Sequence, residues 1–229
     1  MTDQITTIND FAVLLKEAVD EKRVITDPDI LEGFSCDTSL CIARKPDIVV
    51  KALSTKEVSE TVKLANLHGI PVTPRSSKVG FYGAGIPEQG GIVIDMSGMK
   101  KIRKVDVRNR WVMFEAGVTY GELQAELKSH GMRILNPLLP HSDKSVISST
   151  LEREPKLTSK HHLDETIFTM EMVMPTVIFF IPAQCPYRLM RQKKSQMNCR
   201  LICAIFMDRV WTGSGLFPEA LGVLELLRL

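Results

Sequence analysis

PDIVVKALSTKEVSETVKLANLHGIPVTPRSSKVGFYGAG, Pro46 to Gly85, carries the clearest alternation of strand, helix and strand in the chain. PDIVVKAL is apolar, β-branched and short, as a buried strand is. Ser54 to His68 opens with STKE, a serine three residues ahead of a glutamate. That spacing predicts a capping box and a helix carrying Val58, Val62 and Leu67 on one face, ended by Gly69. Ile70 to Thr73 predicts a second strand, and it runs straight into the loop PRSSKVGFYGAG, Pro74 to Gly85. A loop of small and hydroxylated residues directly after a buried strand can turn successive backbone N–H groups inward. The result is a concavity suited to phosphate oxygens.

Downstream, GIVIDMS from Gly91 predicts a strand, and the turn SGMKKI returns the chain to Val105, Val107 and Val112 to Glu115 as neighbouring strands. Thr119 to His130 opens on a threonine cap, spaces Leu123 and Leu127 four apart and stops at Gly131, a second surface helix. PLLPHSDKSVISSTLERE, from Pro137, reads as a long irregular connection, a kind that is often functional. Upstream, Ile8, Phe11, Leu14, Leu15 and Val19 recur at helical spacing from Thr7 to Glu21. ITDPDILEGFSCDTSLCIARKP, Ile25 to Pro46, is broken by Pro28, Gly33 and several Asp and Ser residues and reads as an extended surface connector.

With 229 residues, 44% hydrophobic and 24% charged, the chain has material for one large or two small cores. A net charge of +2 makes no strong field for nucleic acid or membrane. Five cysteines, an odd number, and no export signal at the start point to reduced thiols in a cytoplasmic setting. The most apolar stretch, Met172 to Ala183, contains two prolines and is too short for a membrane span.

PDIVVKALSTKEVSETVKLANLHGIPVTPRSS, followed by GGIVIDMSGMKKI and FEAGVTYGELQAELKSHGMR, closely resembles the FAD-binding domain of the vanillyl alcohol oxidase type of flavoproteins. That group includes D-lactate dehydrogenase, glycolate oxidase subunits and cresol dehydrogenase. The similarity covers about Pro46 to Thr176, after an N-terminal helix and connector at 1–45. It implies an α+β domain of two subdomains with FAD between them and its pyrophosphate against the loop after the second strand. Carried over residue by residue, that loop is Pro74, Arg75, Ser76, Ser77, Lys78, Val79 and Gly80, with Tyr82 and Gly83 close behind. The second FAD-contacting stretch falls on Lys144, Ser145, Val146, Ser148 and Ser149, and the third on Met172 to Pro175. Consecutive amides with a lysine and an arginine suit a doubly charged pyrophosphate.

The resemblance further implies an oxidoreductase that takes a hydride from an alcohol or 2-hydroxy acid onto FAD, with no nucleic-acid partner. Relatives that tether the flavin through this loop use a histidine near Val79, so FAD here is expected to be non-covalent. Many relatives have two glycines where this chain has Ser76, Ser77 and Lys78. A loop of unchanged geometry would therefore put positive φ on a serine or the lysine. Gly80, Gly83 and Gly85 lack the spacing of a nicotinamide fingerprint.

After Thr176 the character of the chain changes. VIFFIPAQCPYRLMRQKKSQMNCRLICAIFMDRVWTGSG has neither a helical nor a strand period, holds three of the five cysteines, and has many Arg and Lys with almost no acid. Val177 stands where the family has a glycine. Reread from the third base of each codon, with permitted codons, Met197 to Thr212 becomes ELPSDLCNFYGPGLDW and the stretch from Val177 becomes DLFYTGSMSVP. The expectation is that 177–229 is an out-of-frame tail, disordered or non-native, and that the chain is a truncated flavin domain. A catalytically inactive remnant that binds FAD weakly or not at all is the alternative. A nucleic-acid module using Arg188 to Arg200, a metal site at Cys199 and Cys203, and a functional pair at His161 and His162 are each the weaker reading. Lys144, Glu152 and Arg153 could sit near the flavin or form structural ion pairs on the connection.

Overall fold

A computed structural model describes residues 8–152, 154–155, 167–174, 179–180, 202–206 and 208–209. The predicted first helix is α1, Ile8–Ala18, burying Phe11, Ala12 and Leu15. A 3-10 turn at Glu21–Arg23 leads to β1, Val24–Ile25. The connector is not wholly extended. Asp27 caps a short helix, α2, Pro28–Glu32, with Pro28 in its first turn. Pro at that position costs no hydrogen bond, and the aspartate satisfies an otherwise orphaned N–H.

The stretch from Pro46 folds as β2, Ile48–Lys51, α3, Thr55–Leu67, and β3, Val72–Arg75. β4, Ile92–Asp95, lies between β2 and β3 and parallel to both, and β1 closes the far edge antiparallel to β2. Ile48, Val50, Ile92 and Ile94 face the main core, whereas Val49 and Val93 face the other way. Leu31 and Phe34 cover that second face. This explains why the connector contains a helix: a parallel sheet needs apolar cover on both sides. Gly91, at φ 75°, begins β4 where a side chain would run into the Pro71 carbonyl, so only glycine permits the approach of β4 to β3.

The capping box of α3 is only half formed. Ser54 Oγ accepts the Glu57 N–H at 3.3 Å, but the Glu57 carboxylate takes the Leu53 N–H at 2.7 Å and a two-pronged Arg23 pair at 2.7 and 2.8 Å. Leu67, placed on the buried face by spacing, is 66% exposed, because burial runs through Thr55, Val58, Ser59, Thr61 and Ala65 instead.

The second sheet has the order β5, β6, β11, β8 and is antiparallel throughout. Its strands are Ile102–Asp106, Trp111–Glu115, Ile202–Phe206 and Ile167–Met170 in that order. Val107 falls outside β5 and is exposed. Helix α4, Tyr120–Ser129, has a complete capping box between Thr119 and Glu122 and buries Leu123 and Leu127. Short pairs join β7, Met132–Arg133, with β12, Asp208–Arg209, and β9, Met172–Val173, with β10, Phe179–Phe180. One continuous core runs from Ile48 and Ile92 in the first sheet to Val112, Phe114 and Leu123 in the second subdomain.

One expectation of irregularity is corrected. In the long connection, Val146–Leu151 forms α5, capped by Ser145 Oγ on the Ser148 N–H at 3.1 Å. Its six residues are too few to show a period. Ile202–Phe206 is a strand paired on both edges, with β6 and β8. His161, His162, Arg153, Cys199 and the run Arg188 to Arg200 lie outside the described residues.

Candidate functional site

Because β2, β3 and β4 run parallel, their C-terminal ends open on one side of the first sheet, and there the loop Pro74 to Gly85 leaves β3. A cleft of about 270 Å³ lies where this edge meets the second subdomain. Pro74, Arg75, Ser76, Ser77, Val79 and Gly80 form one wall. Ser148 and Glu152 of the α5 region, and Met172 and Val173 of β9, form the others. At least one residue from each of the three stretches picked out in the sequence lines this cavity. Met96 and Ala116, just past β4 and β6, line it as well. They were legible only as strand ends, where sheets of this kind open their crevices.

None of the hydrogen bonds among the described residues is donated by the main-chain N–H groups of Ser77 through Gly85. The loop is held instead through its carbonyls. Arg75 Nε donates to Ser77 O at 3.2 Å, Ser77 Oγ to Val79 O at 3.0 Å, and Thr38 Oγ1 to Gly80 O at 2.8 Å. Its amides are therefore left available to an anion. The expected strain is absent: among the described residues Arg110 is the one non-glycine with positive φ, and Ser76, Ser77 and Lys78 are not among such residues.

Arg75 is 5% exposed. It donates from Nη2 to Cys36 O at 3.1 Å and lies 5.4 Å over the Phe34 ring, while Nη1, also buried, has no partner. Burial pushes the guanidinium below its usual value, and the carboxylates of Asp95 and Asp37 act in the opposite direction. A buried guanidinium with an unused N–H is a ready partner for phosphate.

Lys144, Ser145, Val146 and Ser149, expected at the cofactor, stand behind the cleft wall rather than on it, and Lys78, Tyr82 and Gly83 do not line it either. Lys144 is fully buried and pairs with Glu152 at 2.6 Å and with Glu154. Its Nζ lies 4.4 Å from the Phe81 ring centroid. Ser149 Oγ donates to Glu154 at 2.5 Å, and Tyr120 Oη donates to Ser149 at 3.1 Å. Burial pushes the Tyr120 phenol up to about 12, the Ser149 bond opposes this, and Glu154 adds to it. Ser145 Oγ and Ser76 Oγ share a hydrogen bond of 2.6 Å, which fastens α5 to the loop. These residues shape the cleft from behind. Asp37 lines it without having been singled out in the sequence.

Residues 46–176 match the family described as FAD binding domain. The chain is 34% identical over 112 residues to D-lactate dehydrogenase of Anaerostipes hadrus, an alignment covering 48% of this chain and 24% of that protein. It is 30% identical over 127 residues to an FAD-linked oxidoreductase of Mycobacterium tuberculosis, covering 55% and 28%. The chain thus spans about a quarter of the length of these relatives. Among solved structures, p-cresol methylhydroxylase with substrate bound superposes with a TM-score of 0.72 at 19% identity, covering 87% of this chain and 43% of that one. No described helix is long and apolar enough to cross a membrane. With more than half its length matched and its two sheets meeting at the crevice, the chain belongs to the FAD binding domain family, in the α+β fold seen in p-cresol methylhydroxylase.

Proposed function

We propose that this chain holds FAD non-covalently in the cleft between its two sheets, as the flavin-binding part of an enzyme oxidising an alcohol or 2-hydroxy acid. The observation that carries this reading is the buried, unpartnered Arg75 Nη1 beside a loop whose amides are free of internal bonds. Both suit an anion, and the pyrophosphate of FAD is one. The residues present therefore fit the cofactor: Arg75 and the amides from Ser77 to Gly80 would hold the pyrophosphate. Met96, Ala116, Ile147 and Val173 would supply apolar wall. Small-molecule sites run to about 300–1,000 Å³, so a cleft at the lower edge encloses only a segment of the dinucleotide. FAD, when bound, supplies the hydride acceptor, while the protein orients it and excludes water. Non-covalent attachment is supported by the absence of histidine from Pro74 to Gly85. The 2-hydroxy acid assignment is supported by the similarity to D-lactate dehydrogenase.

A second reading draws on the composition of 177–229 and its out-of-frame rereading. On this reading the tail is a frameshift product, and the chain is an inactive remnant that binds FAD weakly or not at all. The coding DNA from codon 177 decides it: codons that do not yield the reread stretches exclude a frameshift. The enzyme reading predicts that the FAD-loaded protein reduces a dye acceptor with D-lactate, glycolate or a phenol, and that acid precipitation frees its flavin into the supernatant. Absence of turnover with all three, or a yellow pellet, overturns the respective part.

A further inference from the structure

We propose that Asp37, on the connector ahead of the family-matched region, is a further cofactor-contacting residue whose Oδ2 accepts a sugar hydroxyl of the flavin nucleotide. The inference rests on the FAD reading above and adds a residue to it. Asp37 lines the cleft, and its two carboxylate oxygens are in different circumstances. Oδ1 accepts the Ser39 N–H at 2.8 Å, whereas Oδ2 is buried with no hydrogen-bond partner. A buried carboxylate oxygen without a donor is costly, and a carboxylate can only accept.

The connector is built to hold it there. Arg75 Nη2 donates to Cys36 O, Thr38 Oγ1 donates to Gly80 O, and Gly80 is the residue against which Oδ2 lies. A side chain at Gly80 would place its Cβ 2.5 Å from Oδ2, so glycine at this point of the loop makes room for the carboxylate. Phosphate cannot be what Oδ2 awaits, since two anions repel. The neighbouring unpartnered atom, Arg75 Nη1, is a donor and suits a phosphate oxygen. One wall thus presents an unused donor for phosphate and an unused acceptor for hydroxyl, the pair of groups that a phosphorylated polyol offers together. FAD carries such hydroxyls on both sides of its pyrophosphate, on the ribitol and on the adenosine ribose.

The test uses the full chain and its Asp37→Asn variant, which keeps the acceptor for Ser39 and replaces Oδ2 by a donor. Dissociation constants are measured for FAD, FMN and ADP. Loss of one charge-assisted bond predicts FAD binding weaker by about tenfold or more. A matching loss for FMN assigns the ribitol hydroxyls, and a matching loss for ADP assigns the ribose. Apo melting curves of wild type and variant are expected to superimpose. Should Asp37→Asn melt early, Asp37→Ser, which keeps a hydroxyl for Ser39, takes its place in the titration. Unchanged FAD affinity in a folded variant of a protein that binds FAD overturns this inference alone. Failure of the wild type to bind FAD overturns the reading beneath it.

Discussion

Replacing Lys144 with methionine is expected to lower stability by about 3–5 kcal/mol, since it leaves buried carboxylates without their counter-ion. Lys144 is 0% exposed in its side chain, with Glu152 and Glu154 at 11% and 3%, so water cannot screen the loss. Methionine fills a similar volume, so the effect is one of charge rather than of a cavity. For a chain of this size it corresponds to a melting point lower by roughly 6–20 °C. It removes a large part of the total stability of an ordinary domain, about 5–15 kcal/mol. Adding Glu152→Gln and Glu154→Gln to Lys144→Met should recover most of the loss, because neutral partners need no cation. Thermal unfolding followed by circular dichroism reads both effects. A single variant that melts with the wild type would show that the cluster is hydrated, and failure of the triple variant to recover would make packing the cause.

Arg75→Gln is expected to weaken FAD binding about 10–100-fold, the loss of one or two charge-assisted hydrogen bonds to phosphate. Arg75→Lys should fall between wild type and Gln: it restores the charge but not the fork that reaches Cys36 O, Ser77 O and the ligand at once. Because the guanidinium also ties the connector to the loop, apo melting must be measured beside affinity. An affinity loss far exceeding the stability loss locates the effect at the ligand. Equal FAD affinity in Arg75→Gln and wild type would remove Arg75 from the phosphate site.

What the sequence made legible is local. The serine and threonine caps at Ser54 and Thr119 and the stops at Gly69 and Gly131 mark α3 and α4 within a residue or two. The apolar runs at Ile48 and Ile92 mark strands buried on both faces. What escaped reading depends on partners distant in the chain. Glu57 belongs half to its helix and half to Arg23, 34 residues away, which a capping motif cannot reveal. Helix α2 precedes Phe34 and with it covers Val49 and Val93, and α5 is fastened through Ser145 to Ser76, 69 residues earlier. The candidate site divides the same way. The loop after β3 was legible from its position behind a strand. Lys144 is held by two glutamates within ten residues, a pairing that the string SDKSVISSTLEREP contains but does not announce. Asp37 sits in a connector whose composition resembles any surface loop, and the bonds of Cys36 O with Arg75 and of Thr38 with Gly80 O bring it to the cleft.

We propose that the loop from Arg75 to Gly80 holds the diphosphate of FAD. The most direct measurement is titration of the purified chain with FAD, following flavin fluorescence and the visible spectrum of the retained protein. Saturable binding and a yellow protein after gel filtration are expected. A protein that stays colourless in excess FAD, with the ligand's fluorescence unchanged, would contradict it.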